Sequence, residues 1–386
     1  MNSSSHARRL AGAVVLASLT LAAQATSTSA AEQIYFPAKD NVTSVLVQLI
    51  NNETTRLDIG TWFLSEGSIT IAIANRFAAG LPIRLIGDRG SIFEGDANTR
   101  ANFYQLANMG VPIRLRYNPT WFPEIIHWKA AIFVGQNKVL FGSANFAPLE
   151  LAPFDANTYD DETVMVSDDP PLVNAFKTRF DRIWNDTTFE PQSVYGAPPY
   201  LKNWADACNT EPSGHCDFFT KYPNPAPMVI NTARLEPDYP YPPEMVWSQG
   251  PDFNNRLTQE ITNESSRIDI VIYRLGVDNI TQALIDKFHA GVPVRVIVDG
   301  FQYTNSLWPE YWLTHANVDK LWVAGVPILQ NQHVGVTHMK TLITSAYAVN
   351  GSSNFTPNWQ RDHNYFVPAA TKPAIYQAIA TRFDGM

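Results

Sequence analysis

Two histidines are each followed, at the second position, by a lysine. The pairs are His127 with Lys129 and His338 with Lys340, and they lie 211 residues apart. Successive side chains of a β-strand point to opposite faces, so a histidine and a lysine two residues apart share a face. One such pair carries little information, but two at duplicated positions indicate chemistry. Imidazoles beside fixed positive charge suit a phosphate group.

A signature of small residues follows each pair, Gly142-Ser-Ala-Asn145 in the first case and Gly351-Ser-Ser-Asn354 in the second. An apolar strand and a turn separate each His-x-Lys pair from its signature. Ammonium and amide groups are compact hydrogen-bond donors that can hold the oxygens of a tetrahedral anion. We therefore assign Asn145 and Asn354, together with the two lysines, to the predicted site.

The chemistry that these residues suit best is the opening of a phosphodiester. A histidine with an unperturbed pKa of about 6.5 can be neutral and nucleophilic, or charged and acidic, at ordinary pH. One imidazole would attack phosphorus to give a phosphohistidine, while the other would protonate the departing alcohol and then deprotonate the incoming water. Near-symmetric motifs leave open which histidine is the nucleophile. No motif indicates a metal site, and no cofactor is expected.

The two pairs belong to an internal duplication. Residues 56–88 match residues 267–299 at the same shift of 211. Each copy has a β-branched run, apolar residues at helical spacing, a glycine and a second apolar run, which predicts a strand, a helix and a parallel strand. The sequences at the ends of the two halves also match. We place the repeats at residues 32–185 and 233–386, and we interpret residues 186–232 as a connector that makes a surface excursion.

Residues 1–31 are predicted to be a secretory signal peptide. Arg8-Arg9 precedes an apolar run, Leu10–Ala23, that ends in small residues. This run is too short to cross a bilayer as an anchor. We expect a soluble, exported mature protein, with cleavage after Ala25, Ala30 or Ala31.

The charge balance of the chain argues against a general polyanion binder. The 28 Lys and Arg residues are outnumbered by 36 Asp and Glu, which gives a formal net charge of −8 and a pI near 5.5. Non-specific affinity for nucleic acid comes largely from basic residues that neutralise phosphates. No obligate nucleic-acid partner is therefore expected.

The length of the mature chain favours two domains or two closely packed halves.

Cys208 and Cys216 lie close together in a polar, proline-rich part of the connector. A disulfide is the natural interpretation in an exported chain. Two free thiols are the alternative. A zinc site lacks ligands, because His215 is the only other good ligand nearby.

Taken together, these motifs resemble those of the phospholipase D superfamily, whose members carry two His-x-Lys-x4-Asp motifs followed by Gly-Ser-x-Asn. The resemblance covers both halves. It implies an α/β fold of two sandwich-like halves related by a pseudo-twofold axis, with one active site where they meet, so a monomer would suffice for catalysis. The chain departs from the pattern at Val134 and Ser345, which stand where the motif aspartates are expected. In such families that aspartate mostly supports the hairpin.

The resemblance also implies a carboxylate, downstream of each Gly-Ser-x-Asn, that orients a catalytic histidine. The candidates are Asp160, Asp161 and Glu162 in the first half and Asp362 in the second. The alternation of side chains along the following strand favours Glu162. A gapless alignment of the two halves instead pairs Asp161 with Asp362. We predict Glu162 and Asp362. By the same resemblance, the N-terminal copy supplies the nucleophile, His127.

Four further residues are predicted to contact substrate: Ser143, Ser352, Trp121 and Trp359. The tryptophans could line an apolar mouth for acyl chains, although aromatic residues at strand edges more often belong to a core. The expected function is hydrolysis of a phospholipid of the phosphatidylcholine type to phosphatidate and a free alcohol, with transient contact with a membrane surface. A nuclease and a binding protein without turnover are the alternatives.

Overall fold

The structure is a computed structural model, and it describes residues 32–117, 125–185, 201–248, 252–304, 309–357 and 361–386. The predicted signal peptide, Trp121 and Trp359 lie outside these residues. Among the helices that it describes, none is long and apolar enough to span a membrane.

The first half alternates strands and helices and ends in a long helix. Its elements are β1 (Gln33–Tyr35), α1 (Val42–Asn52), β2 (Leu57–Thr61), α2 (Gly67–Ala78), β3 (Ile83–Asp88), α3 (Ala97–Asn108), β4 (Ile113–Arg116), β5 (Lys129–Phe133), β6 (Lys138–Gly142), α4 (Pro148–Leu151), β7 (Val164–Ser167) and α5 (Pro170–Asn185). A π-helical segment, Gly90–Gly95, follows β3.

The described part of the connector, residues 201–232, contains three short elements, and the second half then repeats the pattern of the first. The connector elements are β8 (Leu201–Asn203), α6 (Trp204–Asn209) and α7 (Phe218–Lys221). The elements of the second half are β9 (Met245–Ser248), α8 (Asp252–Asn263), β10 (Ile268–Ile272), α9 (Asp278–His289), β11 (Val294–Val298), α10 (Gly300–Thr304), α11 (Pro309–Val323), β12 (Ile328–Gln330), β13 (Lys340–Ile343), β14 (Tyr347–Gly351), β15 (Asp362–Pro368) and α12 (Pro373–Asp384).

The strands form two mixed sheets of the same design. The eight-stranded sheet has the order β1-β7-β6-β5-β2-β3-β4-β8, and the seven-stranded sheet has the order β12-β11-β10-β13-β14-β15-β9. The strands of the duplicated unit run parallel, β2 with β3 and β10 with β11. Gly80 and Gly291 end the intervening helices with φ of +88° and +86°, a region that favours glycine. The predicted strand, helix and strand units are confirmed.

A shared hydrophobic core packs the two halves against each other. Trp128 of the first half stacks on Trp247 of the second, with 5.3 Å between ring centroids. Phe141 and Tyr365 meet edge to face across the same boundary. Trp128 is only 2% exposed, so this residue of the first His-x-Lys motif belongs to the core. Because separation of the halves would expose these rings to water, the halves form one folded unit.

The connector takes part in the fold of the first half, which corrects the expectation of a surface excursion. Strand β8 pairs antiparallel with β4 and extends the first sheet. Trp204 is 2% exposed and packs against Phe93 and Phe103. The composition of the segment is polar and proline-rich overall, but Trp204 and Phe218, each 2% exposed, anchor it to the core.

The connector also joins Cys208 and Cys216 in a disulfide, with their Cα atoms 5.5 Å apart. We expect this bond to contribute at the low end of about 2 to 4 kcal/mol, because the loop that it closes is short. Mass spectrometry of peptides from the non-reduced protein should recover the linked pair. Recovery of both cysteines as free thiols would contradict the prediction.

Glu53 supports the turn after β5, where Val134 replaces the motif aspartate. Its carboxylate, at the end of α1, accepts hydrogen bonds from the backbone N–H groups of Gly135 (2.9 Å) and Gln136 (3.3 Å) in that turn. It also accepts the N–H of Thr55 at 2.7 Å. A carboxylate from a neighbouring helix therefore holds the hairpin that carries the first motif.

Glu264 has the same role in the second half. It accepts hydrogen bonds from the N–H and hydroxyl groups of Ser345, which stands at the other motif position, and from the N–H groups of Ser265 and Ser266. Glu53 and Glu264 precede the turns they hold by 82 and 81 residues. A motif search along the chain misses them because the contact is made only in three dimensions.

Replacing Glu53 by glutamine should destabilise the protein by about 1 to 3 kcal/mol at neutral pH, because buried N–H groups lose a charged acceptor. Burial opposes the ionised form of Glu53, but the backbone donors, with Thr55 and Gly135 foremost, hold its pKa below the usual value. A depressed pKa in the folded state means that this stabilisation is present at neutral pH. It is lost as the pH falls through the folded-state pKa.

Urea unfolding at several pH values would measure this effect. Asp278→Asn, at a carboxylate that is 72% exposed, is the control and should change stability by less than about 0.5 kcal/mol. A difference between wild type and Glu53→Gln that stayed constant into the acid range would contradict the proposed role of the ionised carboxylate.

Candidate active site

Each motif histidine lies just before the strand that its lysine begins. Lys129 starts β5 and Lys340 starts β13, and these strands pair with β2 and β10 at the centres of their sheets. The exposed fractions are 6% for His127, 0% for Lys129, 7% for His338 and 1% for Lys340. Each ammonium group donates to the carbonyl of its own motif histidine. The two motifs are therefore buried and rigidly positioned.

Backbone hydrogen bonds between the halves bring the motifs together. The N–H of His127 donates to the carbonyl of Arg361 at 3.1 Å, and the N–H of His338 donates to the carbonyl of Asp161 at 3.0 Å. The acceptor in each case is the residue before a predicted orienting carboxylate. Each half consequently delivers its carboxylate to the histidine of the other half.

The two orienting contacts cross between the halves. Asp362 Oδ1 lies 2.8 Å from His127 Nδ1, and Glu162 Oε1 hydrogen-bonds His338 Nδ1. Because a carboxylate engages Nδ1 of each ring, Nε2 of each ring is the atom available for reaction. The structure thus places the predicted residues Glu162 and Asp362 against the motif histidines, each at the histidine of the other half.

The other two candidates in the first half, Asp160 and Asp161, bind other groups, and Asp160 accepts the N–H of Val336 at 2.8 Å. The carboxylate of Asp161 binds Arg382 and, at 2.7 Å, Nε2 of His333.

The structural counterpart of Asp161 is Arg361, so the gapless alignment that paired it with Asp362 is displaced by one residue. The alignment matched Val166 with Val367. Val166 pairs with Leu140 in the first sheet and Phe366 pairs with the equivalent Val349 in the second, so Phe366 is the structural counterpart of Val166.

Ser143 and Ser352 hold the orienting carboxylates. The hydroxyl of Ser143 donates to Glu162, the hydroxyl of Ser352 donates to Asp362 at 2.7 Å, and both serines are 0% exposed. This corrects the prediction that they contact substrate, because their buried hydroxyls are already committed. The glycine before each serine lets the next strand approach, since a Cβ there would collide with the backbone of that strand.

Asn145 and Asn354 are both buried, each 4% exposed. The backbone N–H and the Nδ2 group of Asn145 donate to the carboxylate of Glu150 at 2.6 and 2.8 Å. Glu150 Oε2 in turn lies 3.4 Å from His338 Nδ1. Sequence reasoning missed Glu150, which follows the first signature on helix α4 and brings a second carboxylate to one histidine.

Both halves of the chain match a known protein family. A family model described as cardiolipin synthase, PLD-like domain, matches residues 46–184 and 257–386. The chain belongs to the phospholipase D superfamily. It is 24% identical over 140 residues to a mitochondrial cardiolipin hydrolase from Chlamydomonas reinhardtii, a match that covers 36% of this chain and 59% of that protein.

Two solved structures resemble this phospholipase D superfamily member over most of its length. Phosphatidylserine synthase from Haemophilus influenzae is 13% identical with a TM-score of 0.59, covering 90% of this chain and 85% of that one. Polyphosphate kinase from Porphyromonas gingivalis is 13% identical with a TM-score of 0.56, covering 92% of this chain and 50% of that one. These likenesses concern the fold, and they agree with the predicted pair of α/β halves.

The two histidines of the candidate site differ in how readily they bind a proton. Burial, assisted by the ammonium of Lys129, lowers the pKa of His127 to about 3. Burial also opposes the charged form of His338, but the carboxylates of Glu162 and Glu150 outweigh it and raise the pKa of His338 above its usual value. Near neutral pH, His127 is therefore neutral and His338 is the histidine that favours a proton.

The two motif lysines are also perturbed. Burial lowers the pKa of Lys129 to about 8 and that of Lys340 to about 7, although the carboxylates around them oppose this shift. A bound phosphate group adds negative charge next to these amines and would favour their charged forms. The lysines are thus suited to bind an anion more strongly as the pH falls.

One group of three metal-ligand side chains lies in the described part of the chain. Ligand atoms of Glu150, Glu162 and His338 are within 4.8 Å of one another. This set fits a metal ion poorly, because the carboxylates already accept the Nδ1 proton of His338. The ammonium groups of Lys129 and Lys340 also interact with both carboxylates. The two carboxylates are better described as acceptors that stabilise the protonated imidazole of His338.

Asp88 and Asp299 support the segments that carry the histidines. Asp88 Oδ2 accepts the N–H of Ile126 at 2.9 Å, and Asp299 Oδ2 accepts the N–H of Thr337 at 2.8 Å. Each contact holds the residue immediately before a motif histidine. Sequence reasoning noted these aspartates only as members of the repeat. Their duplication at the end of a parallel strand was the available signal, since sites in α/β folds form at those strand ends.

Proposed function

We propose that this chain is an exported phosphodiesterase that hydrolyses phospholipids of the phosphatidylcholine type to phosphatidate and a free alcohol, acting as a monomer during transient contact with a lipid surface. The observation that carries the proposal is the pair of crossed contacts, His127 with Asp362 and His338 with Glu162, beside two buried lysines. Displacement at a phosphodiester needs a nucleophile, an acid and fixed positive charge, and this site offers all three.

In the proposed first step, Nε2 of His127 attacks phosphorus and the bond from phosphorus to the alcohol oxygen breaks. His338 gives the proton on its Nε2 to that oxygen, so a neutral alcohol leaves and a phosphatidyl group remains on His127. Neutral His338 then takes a proton from water, and the resulting hydroxide attacks phosphorus. The phosphorus–nitrogen bond breaks, which releases phosphatidate and restores both histidines.

Two observations favour a lipid over a nucleic acid as substrate. The formal net charge of −8 opposes general binding of a polyanion. Two of the proteins that resemble this chain are, by name, a cardiolipin hydrolase and a phosphatidylserine synthase. A binding protein without turnover is disfavoured by intact histidine and lysine in both motifs.

The function can be tested with the protein beginning at residue 32, incubated with phosphatidylcholine vesicles or with plasmid DNA, each with and without EDTA. We expect choline release that is insensitive to EDTA and absent in His127→Ala. DNA cleavage without choline release would favour a nuclease. Loss of all activity in EDTA would refute the metal-free mechanism, and inactivity on both substrates would favour a binding protein.

The proposed export has a separate test. Production of the full chain in a host with a general secretory pathway should place it outside the cytoplasm, shortened after Ala25, Ala30 or Ala31. Intact-mass measurement of the recovered protein would identify the cleavage point. Recovery of the full-length chain from the cytoplasm alone would refute export.

A further inference from the structure

Glu150 breaks the symmetry of the duplicated site. The segment Phe146-Ala-Pro-Leu-Glu150 follows the first Gly-Ser-x-Asn signature, and Phe355-Thr-Pro-Asn-Trp359 follows the second. The two segments align without a gap, so tryptophan stands in the second half where the first has a glutamate. The duplication therefore does not account for this carboxylate, and a role specific to one half-site is indicated.

Glu150 is held firmly against His338. Its side chain is 17% exposed, and Oε2 lies 3.4 Å from the Nδ1 atom to which Glu162 is also bonded. The two hydrogen bonds from Asn145 fix its direction. Pro148, at the first turn of α4, provides the backbone geometry that starts this short helix. The placement of the carboxylate is thus built into the loop.

Charged and aromatic groups face His338 from all the elements around it. Among the described residues they include Glu162 before β7, Glu150 on α4, Lys340 on β13, Asp160, Asp299 and Tyr273, whose ring centroid lies 4.5 Å from that of His338. Of the carboxylates, Glu150 and Glu162 reach the imidazole nitrogen. His127, in comparison, has a carboxylate contact with Asp362 at Nδ1.

We propose that Glu150 is a positioning residue that keeps His338 protonated between turnovers, and so makes His338 the general acid and His127 the nucleophile. This inference rests on the proposed phosphodiesterase function and deepens it. It follows from the placement of carboxylates in the described part of the site, where two reach Nδ1 of His338 and one reaches Nδ1 of His127. A fixed negative charge in contact with one imidazole favours the charged form of that ring alone.

The ionisation of the two glutamates supports this division. Burial raises the pKa of Glu162 to about 7. Burial acts on Glu150 in the same direction, but hydrogen bonds with His338 and Asn145 hold the pKa of Glu150 well below its usual range. Glu150 therefore stays ionised under conditions in which Glu162 can take up a proton. It is the constant negative charge beside His338.

The proton balance of the reaction shows where this charge acts. His338 loses its proton to the leaving alcohol and regains one from water, and Glu150 stays anionic throughout. Stabilising the protonated imidazole lets the enzyme begin each cycle with the proton in place. The effect should be largest for poor leaving groups, whose departure depends on protonation.

The first test measures the protonation of His338 directly. Histidine-labelled protein would be titrated by NMR, with His338→Ala used to assign the signal. Glu150→Gln, which keeps a hydrogen-bond acceptor for Asn145, should lower the pKa of His338. Glu150→Asp should restore it in part, and Leu149→Ala, at a residue of the same helix that is 37% exposed, should leave it unchanged. An unchanged pKa in Glu150→Gln would overturn the proposal.

The second test compares two substrates that differ in leaving group. Glu150→Gln should lose about tenfold or more activity on an alkyl phosphodiester and much less on a p-nitrophenyl phosphodiester, whose departure needs no proton. The alkaline limb of kcat/KM on the alkyl substrate should also move to lower pH. Equal losses on both substrates with an unchanged pH profile would indicate a merely structural role and overturn the proposal.

Failure of the inference can be distinguished from failure of the proposed function. Wild-type protein that cleaved neither substrate would refute the function, and the NMR titration would still decide whether Glu150 controls His338. Wild-type protein that cleaved both substrates, with Glu150→Gln matching it in titration and in leaving-group dependence, would refute the inference alone.

Discussion

His127→Ala should form no phosphoenzyme and should lose activity by about 10⁴-fold or more, because the proposed nucleophile is gone. Two described neighbours are already engaged, since Lys129 donates to a backbone carbonyl and Asp362 orients the missing ring. Acid-labile phosphate on the protein, measured after rapid quench with a labelled p-nitrophenyl phosphodiester, would check this result.

His338→Ala is the matched comparison from the other half-site. It loses the proposed general acid, and general acid catalysis typically contributes about 10²- to 10⁴-fold. With a p-nitrophenyl leaving group, which needs no proton, the adduct on His127 should still form. Its hydrolysis should be slow, because His338 must also activate the water.

The pattern of adducts in the two variants decides the assignment. We expect phosphohistidine in His338→Ala and none in His127→Ala. The opposite pattern would exchange the roles of the two histidines. Absence of an adduct in both variants, with wild-type turnover intact, would favour direct attack by water.

Arg84→Met should destabilise the protein by about 3 to 5 kcal/mol, because it leaves buried carboxylates without their main counter-charge. The guanidinium of Arg84 is 6% exposed, and it binds Asp58 and Asp181, which are both 0% exposed, at 2.7 Å. This ion pair network joins β2, β3 and α5. Urea unfolding would measure the loss.

The duplication supplies a matched control, Arg295→Met. Arg295 binds Asp269 at 2.6 Å and Asp384 at 2.8 Å, but it is 47% exposed and Asp384 is 50% exposed. Water screens the exposed guanidinium, and Arg267 still pairs with the buried Asp269, so the loss should be about 2 kcal/mol or less and smaller than that in Arg84→Met. Equal destabilisation by the two substitutions would show that burial does not govern the strength of these duplicated networks.

The fold class and the motif residues could be predicted from the sequence because both leave local or repeated patterns. Alternating and helical periodicities predicted the strand, helix and strand units, and Gly80 and Gly291 predicted where the helices end. The shift of 211 residues singled out His127 and His338. Each of these inferences needed only residues near one another in the chain, or a comparison of one half with the other.

The partners of these residues were harder to predict, because they are set by contacts between distant segments. Phasing on the strand favoured Glu162, but only the pairing of the two halves showed that it crosses to His338. Ser143 was expected to meet substrate, and the structure commits its hydroxyl to Glu162. Spacing along the chain does not specify which way a buried side chain turns when several polar groups compete for it.

The sequence by itself determined that this protein is a duplicated α/β chain with two His-x-Lys half-sites, since duplication and periodicity are properties of the chain. The tertiary structure decided how the half-sites differ. Glu150 has no duplicate in the second half, and its effect on His338 depends on the 3.4 Å distance between its Oε2 atom and Nδ1 of His338. Electrostatic effects on a histidine fall steeply with distance and with exposure to water, so they are set by the folded packing of charges and not by their order in the chain.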